Sequence, residues 1–254
     1  MNNKRSSVAR KIAIVTGASS GIGKAVAIYL AEQNYHVALI ARSKEKLETV
    51  LNEINHSGYL AEMHCLDVSN SEKVSSTIQK IIKNHGRIDL LFNNAGILKH
   101  GTTEISDRDL NELLMINLNG AIFVAKNVAV QMKKQKYGYI INVSSIGGKV
   151  AASFAGGYAA SKFGLSGYSE ALTKDMSLYG VKVTNLCPAM IATGMVTGDR
   201  NFKSEEMVQI DDIIKTVDYL LNLSGAALPT EIIISSMPFI KEITKLTKQA
   251  YKLN

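Results

Sequence analysis

The chain has 254 residues, 46% hydrophobic and 20% charged; with three prolines and no low-complexity run or fixed-period repeat, this excludes disordered and solenoid classes and indicates one folded unit. The formal charge of +7 would suit nucleic acid, but it sits at the ends: residues 1–11 carry Lys4, Arg5, Arg10 and Lys11 without an acid, and residues 241–254 carry Lys241, Lys245, Lys248 and Lys252 against Glu242. The body is left near neutral with no basic cluster for a groove-binding face, so no nucleic-acid partner is expected.

The first short β-branched run, Ile12–Thr16, predicts a strand, and Thr16-Gly17-Ala18-Ser19-Ser20-Gly21-Ile22-Gly23 leads from it into a helix predicted over Ile22–Gln33. Glycines there allow a tight turn and close approach to a pyrophosphate at the positive helix N-terminus, although the spacing is GxxxGxG and not the GxGxxG fingerprint. The second strand, His36–Ala41, is followed by Arg42 where an NAD-preferring protein would carry an acid for the ribose 2′-OH. An arginine suits a 2′-phosphate, with Ser20 adding a hydroxyl; the plain alternative is a solvated Arg opening a loop.

A helix over Lys44–Asn55, a strand over Ala61–Leu66 ending at Asp67, and a helix over Glu72–Asn84 come next. The strand Leu90–Asn93 runs into Asn94-Ala95-Gly96, and Asp107–Lys134 reads as one long helix containing Asn117. Strand Tyr139–Val143 ends at Ser144-Ser145, and helix Tyr158–Leu178 opens on Tyr158-Ala159-Ala160-Ser161-Lys162, which sets a phenol and an ammonium four residues apart on one face. Strand Lys182–Cys187 ends at Pro188, and helix Asp211–Leu223 and strand Glu231–Ile234 close the series. Seven apolar strands alternating with helices predict one doubly wound, Rossmann-like α/β domain, a mostly parallel sheet with helices on both faces. Its ligand would sit outside the carboxyl ends of the strands.

In this order the motifs resemble the short-chain dehydrogenase/reductase family, from Lys11 to Ile234. The resemblance implies an oxidoreductase that reduces a carbonyl with NADP(H), with NAD(H) as the alternative cofactor. Gly17, Ser19, Ser20, Gly21, Ile22 and Gly23 would carry the phosphates, Asp67 and Val68 would meet the adenine, and Asn94, Ala95 and Gly96 would flank the cofactor. Ser145, thirteen positions before Tyr158, would polarise the substrate carbonyl, Tyr158 would deliver the proton, and Lys162 would lower the Tyr158 pKa and bind the nicotinamide ribose. Asn117 would anchor a water linked to Lys162, and Pro188, Ile191 and Thr193 would face the nicotinamide. Taken singly, Asn117 reads equally as a helix residue bonded to backbone, Ser144 and Ser145 as turn residues, and Asp67 as a turn acid.

Two departures from the family pattern stand out. Ala189 replaces a glycine after Pro188, which it can do only where φ is negative, and Ser235-Ser236-Met237-Pro238 replaces the Asp-Gly-Gly of acyl-carrier-protein reductases. Met190, Ile191, Met195, Val196, Phe202 and Met207 fall where the resemblance implies a mobile lid over the substrate; such flexible apolar side chains suit an apolar carbonyl or alcohol compound, and core packing explains some of them equally well.

Residues 1–10 read as a basic extension, 11–237 as the NAD(P)-binding catalytic domain and 238–254 as a basic amphipathic tail, with Ile240, Ile243, Leu246, Ala250 and Leu253 on one helical face. That tail docks on the body or a second subunit, or makes a weak peripheral membrane contact. The resemblance implies a homodimer or homotetramer. Cys65 and Cys187 lie in apolar runs without metal-type spacing and read as free buried thiols. No apolar run approaches the ~18 residues of a membrane span, and Met1–Lys11 leads into an apolar stretch too short for a signal peptide, so a cytoplasmic location is expected, with no metal. The competing readings are an NAD-linked alcohol dehydrogenase and a non-catalytic dinucleotide sensor or scaffold.

Overall fold

The computed structural model describes residues 10–193 and 203–252, the side chains of 243 and 246–252 excepted. Seven strands, β1 (Ile12–Thr16), β2 (His36–Ala41), β3 (Ala61–Cys65), β4 (Leu90–Asn93), β5 (Gly138–Val143), β6 (Val181–Pro188) and β7 (Glu231–Ile234), form one sheet in the order β3-β2-β1-β4-β5-β6-β7. Every adjacent pair is parallel. The order reverses between β1 and β4, which opens a crevice at the carboxyl ends of these two strands.

The helices are α1 (Gly21–Glu32), α2 (Lys44–His56), α3 (Ser71–His85), α4 (Asp107–Leu114), α5 (Ala121–Gln135), α6 (Gly156–Ser177), α7 (Ile210–Asn222) and α8 (Met237–Lys252). Alternation along the strands divides the core in two. Val15, Val37, Leu39 and Phe92 pack on one face with Val26, Leu30 and Val217, and Ile14, Ala38, Ile40 and Leu91 pack on the other with Val74, Ile78, Val124 and Val128. Each such fully buried side chain contributes about 1.5–3 kcal/mol. Helix α3 shows the local logic: Asn70 caps it by accepting from Lys73 N at 2.9 Å, Val74, Ile78 and Ile81 recur on the buried side, and Gly86 ends it at φ 75°.

The predicted elements are found with boundaries shifted by one or two residues, with two differences of substance. The helix expected over Asp107–Lys134 is interrupted by a π-helical turn, Met115–Gly120, between α4 and α5. The interruption answers to tertiary contacts that a periodicity count does not contain, since Asn117 within it is bonded to Ile97, twenty residues away. The composite helix Asp107–Gln135 is apolar enough by length to cross a membrane, but half of its most apolar window is buried inside the protein, as in a core helix. Second, β3 and β7 are half-exposed, because each is an edge strand covered less completely than its neighbours. Cys65, at the end of β3, is accordingly exposed and its thiol donates to Arg42 O at 3.0 Å, correcting the expectation of two buried thiols; Cys187, in β6, is buried.

Candidate active site

At the end of β1 the glycine turn is defined by sterics. Gly17 has φ 67°, and a Cβ there would stand 2.8 Å from Asn94 Nδ2; a Cβ on Gly23 would fall 2.2 Å from Gly17 O, so α1 lies directly against the turn. Gly21, at φ 52°, faces only the Thr193 side chain, 3.6 Å away. Ser19 is half-buried and Ser20 exposed. The N-terminus of α1 differs from those of α2, α3 and α4, which are capped by Ser43, Asn70 and Ser106 and carry acids in the first turn. Ser20 makes no side-chain cap and the first turn of α1 has no acid, leaving its N–H groups and positive dipole to the crevice.

Arg42 and Asp67 end neighbouring strands and face one another at 3.8 Å, both well exposed. Asp67 Oδ1 also accepts from Ser69 N at 2.9 Å, the turn-acid role, while Val68 is buried against Gly120, where an added Cβ would lie 2.8 Å from Val68 Cγ2. The loose ion pair leaves the guanidinium fork open to solvent.

Asn94, Ala95 and Gly96 leave β4 under the control of Thr16. Its fully buried hydroxyl accepts from Asn94 N at 2.9 Å and Ala95 N at 3.0 Å and donates to Asn93 Oδ1 at 3.3 Å, and Asn94 Nδ2 returns a bond to Thr16 O at 3.1 Å. Asn117, presented by the π turn, clamps the next residue: its Oδ1 accepts from Ile97 N at 2.8 Å and its Nδ2 donates to Ile97 O at 2.9 Å and to Ser161 Oγ at 3.2 Å. A Cβ on Gly96 would lie 3.3 Å from Asn117 Oδ1 and 3.5 Å from Lys162 Nζ, so these two side chains flank one glycine.

Ser145 and Tyr158 flank another. A Cβ on Gly147 would lie 3.1 Å from Tyr158 Cε1 and 3.5 Å from Ser145 Oγ. Ser145 Oγ accepts from Gly147 N at 3.1 Å and stands at the mouth of a 3₁₀ turn, whereas Ser144 Oγ is turned inward, donating to Lys162 O at 3.0 Å and bonding Ser166. Burial pushes the Tyr158 phenol above its ordinary value, and hydrogen bonding from Ser145 pulls the other way. Lys162 is buried, donates to Val143 O at 3.0 Å, lies 5.8 Å from the centre of the Tyr158 ring, and is pushed down by that burial to about 8. Here the ammonium is bonded to the Val143 carbonyl, and burial is the largest influence on the Tyr158 phenol.

These groups share a cleft of about 650 Å³ over the carboxyl ends of β4, β5 and β6. Asn94, Ser145, Tyr158 and Lys162 form its polar side, Ile22 and Gly96 border it, and Pro188, Ala189, Ile191 and Thr193 close it, the last donating from its N–H to Ile191 O at 2.7 Å. Ala189 fits because, among the described residues, only Asn34 and Lys136 are non-glycines at positive φ. The remaining wall is largely apolar, with Leu98, Val150, Phe154, Met190 and Phe239, and carries His100 with its ring 5.6 Å from that of Phe154. Of the expected lid, Met195, Val196 and Phe202 lie outside the described residues, and Met207 lines a separate hollow beside Pro238.

Residues 11–204 match the short chain dehydrogenase family. The chain belongs to that family. It is an oxidoreductase with a Rossmann-like fold. A 3-oxoacyl-[acyl-carrier-protein] reductase of Staphylococcus aureus is 32% identical over 221 residues, covering 83% of this chain and 90% of the relative. The crystal structure of a betaketoacyl-[ACP] reductase from Bacteroides thetaiotaomicron is 36% identical with a TM-score of 0.81, covering 91% of this chain and 99% of that one. An alcohol dehydrogenase from the archaeon Thermococcus sibiricus, complexed with 5-hydroxy-NADP, is 27% identical with a TM-score of 0.83, covering 90% and 97%.

Three contributors escaped the sequence reading. Thr16 was visible only as the first letter of a glycine motif, and Ser161 only as a spacer between Tyr158 and Lys162, where its hydroxyl in fact joins Asn117 to Tyr158 O at 2.7 Å. Phe239 belongs to the tail, and its path back over the cleft is a matter of chain tracing. It also packs on the core, so the first turn of α8 docks on the body, while Met237 and Ile240 beside it stay exposed.

Proposed function

We propose that this oxidoreductase is an NADPH-dependent carbonyl reductase, with oxidation of the corresponding secondary alcohol as its reverse. The observation that carries the reading is the convergence of Ser145, Tyr158 and Lys162 on one wall of a cleft that Ile22 of the glycine turn also borders and that is otherwise largely apolar. The residues present fit a dinucleotide: the cradle at Gly17, Gly21 and Gly23 has no room for side chains at its first and last positions, and the α1 N-terminus is uncapped and free of acid. Ser19, Ser20 and Ile22 would join those glycines at the phosphates, Asp67 and Val68 would meet the adenine, Arg42 would hold a 2′-phosphate, and Asn94, Ala95, Gly96, Pro188, Ile191 and Thr193 would border the nicotinamide half. When bound, the nicotinamide supplies or accepts the hydride.

The chain's own residues handle the proton and the oxygen. Tyr158, held as a neutral phenol by burial, is a donor poised for carbonyl reduction, and Ser145 hydrogen-bonds the same substrate oxygen and steadies its developing charge. Lys162 would hold the cofactor ribose, while Asn117 fixes the Ile97 backbone and with it Gly96 beside the lysine. The apolar wall from Leu98 to Phe239 suits a substrate with a hydrocarbon flank, and the kinship with acyl-carrier-protein reductases makes 3-oxoacyl compounds the first substrates to try.

A panel of ketones, aldehydes and 3-oxoacyl thioesters, followed by absorbance with NADPH and with NADH, tests the reading. We expect turnover with NADPH and a fall of about 10²–10⁴-fold in kcat for Tyr158→Phe with cofactor binding retained. Absence of turnover with every substrate, or undiminished turnover in Tyr158→Phe, would overturn it.

A further inference from the structure

At the opposite end of the sheet from the cleft, His36, Glu62, His64 and His85 come together. His36 opens β2, and the parallel register sets Ala38 beside Glu62 and Ile40 beside His64, so His36, Glu62 and His64 share the face that α3 covers. His85 lies in the last turn of α3 and meets them there. Glu62 Oε1 is 3.2 Å from His85 Nε2 and 3.2 Å from His64 Nε2. One donor atom from each of His36, Glu62 and His85 lies within 4.8 Å of the others, and the two imidazole rings are 4.6 Å apart, tilted by 56°.

Two features set this cluster apart from an ordinary hydrogen-bonded patch. His36 Nε2 is buried without a hydrogen-bond partner, and the His64 side chain, only 10% exposed, has no polar neighbour for Nε2 among the described residues but the same Glu62 oxygen that His85 uses, 3.2 Å away. Buried imidazole nitrogens are normally satisfied. The donor set is also of one chemical kind: imidazole nitrogens with a single carboxylate, which suits zinc and its first-row neighbours and not magnesium or calcium.

We propose that His36, Glu62 and His85 form a zinc-class divalent cation site, with the fourth position open to His64 or water. Tetrahedral coordination at about 2.0–2.2 Å separates neighbouring donor atoms by roughly 3.4 Å. The Glu62–His85 pair stands at 3.2 Å, close to that spacing, and a His36 nitrogen lies within 4.8 Å of both. The ion would tie the edge strand β3 and the end of α3 to β2, bracing the half of the sheet whose other end carries Arg42 and Asp67. Its role is structural, because the ligands sit near the amino ends of β2 and β3 and in the last turn of α3, whereas the cleft lies over the carboxyl ends of β4, β5 and β6.

Tag-free full-length protein, stripped with EDTA and dialysed, is titrated with ZnCl₂ in a calorimeter and melted with zinc, with magnesium and with neither. We expect one zinc per chain, a rise in Tm with zinc that EDTA reverses and magnesium does not reproduce, and visible d–d absorption on loading with Co²⁺. His85→Asn and Glu62→Gln should each lose the bound equivalent and the rise in Tm while keeping the wild-type circular dichroism spectrum. Since His85 sits at a helix end, it carries the test if Glu62→Gln fails to fold. No zinc equivalent in the wild type, or an equivalent that survives in His85→Asn, would overturn the proposal.

Discussion

Thr16→Val removes one hydroxyl and leaves the side-chain shape intact, so it isolates what that hydroxyl holds. Its acceptor role towards Asn94 N and Ala95 N disappears, as does the longer bond donated to Asn93 Oδ1, while Asn93 Nδ2 keeps its bonds to Ala121 O and Asn142 Oδ1 at 2.9 Å each. Orphaning a buried N–H costs about 1–3 kcal/mol. Two such groups set an upper bound of about 6 kcal/mol, and because Asn94 and Ala95 are half-buried, water re-satisfies part of the loss, leaving about 2–4 kcal/mol. That is a large share of the 5–15 kcal/mol by which domains are typically stable. Urea unfolding at fixed protein concentration reads the stability. Titration by the cofactor's own fluorescence, undisturbed by tryptophan because the chain has none, reads the looser Asn94–Gly96 backbone as weaker NADPH binding. Thr16→Ser, which keeps the hydroxyl, should lie near wild type in both. Equal damage from Ser and Val, or a wild-type midpoint in Val, would refute the assignment of Thr16 as the staple between β1 and β4.

Arg42→Asp removes the fork available to a 2′-phosphate; losing charge-assisted bonds of about 1.5–3 kcal/mol should cut kcat/KM for NADPH by about 10–100-fold and spare NADH, and an unchanged preference would remove Arg42 from the cofactor site. Lys162, pushed down from 10.5 to about 8 in the folded state, predicts a pH effect of definite sign: between those values the unfolded chain holds the proton and the folded chain does not, so stability rises with pH across that window. The difference in urea midpoint between wild type and Lys162→Met should therefore shift in favour of wild type from pH 8 to pH 10, and a flat difference would count against the buried lysine. Phe239→Ala takes an aromatic wall from the cleft, and loss of about 1–2 kcal/mol of apolar contact should lower kcat/KM for an apolar carbonyl about 5–30-fold with NADPH affinity unchanged. Parallel losses in cofactor binding would mean that Phe239 supports the fold and not the substrate.

What the sequence determined alone is whatever is encoded locally or by order along the chain. Strand and helix periodicities, the Gly17–Gly23 turn and the Tyr158/Lys162 spacing depend on side-chain size and on residues within a few positions of each other, so the doubly wound sheet and its kinship were legible without coordinates. The tertiary structure decided everything that depends on residues far apart. Asn117 lies in a π turn from which its amide meets Ile97, Thr16 controls a loop beginning at Asn94, and Phe239 reaches the cleft from the tail. The same holds for charge: the sequence sets Lys162 four residues after Tyr158, but packing decides what each group meets, burying the phenol and bonding the lysine to Val143 O. His36, Glu62 and His85 show the limit most plainly, for they are spread over fifty residues with no motif between them and become neighbours only when β2, β3 and α3 pack.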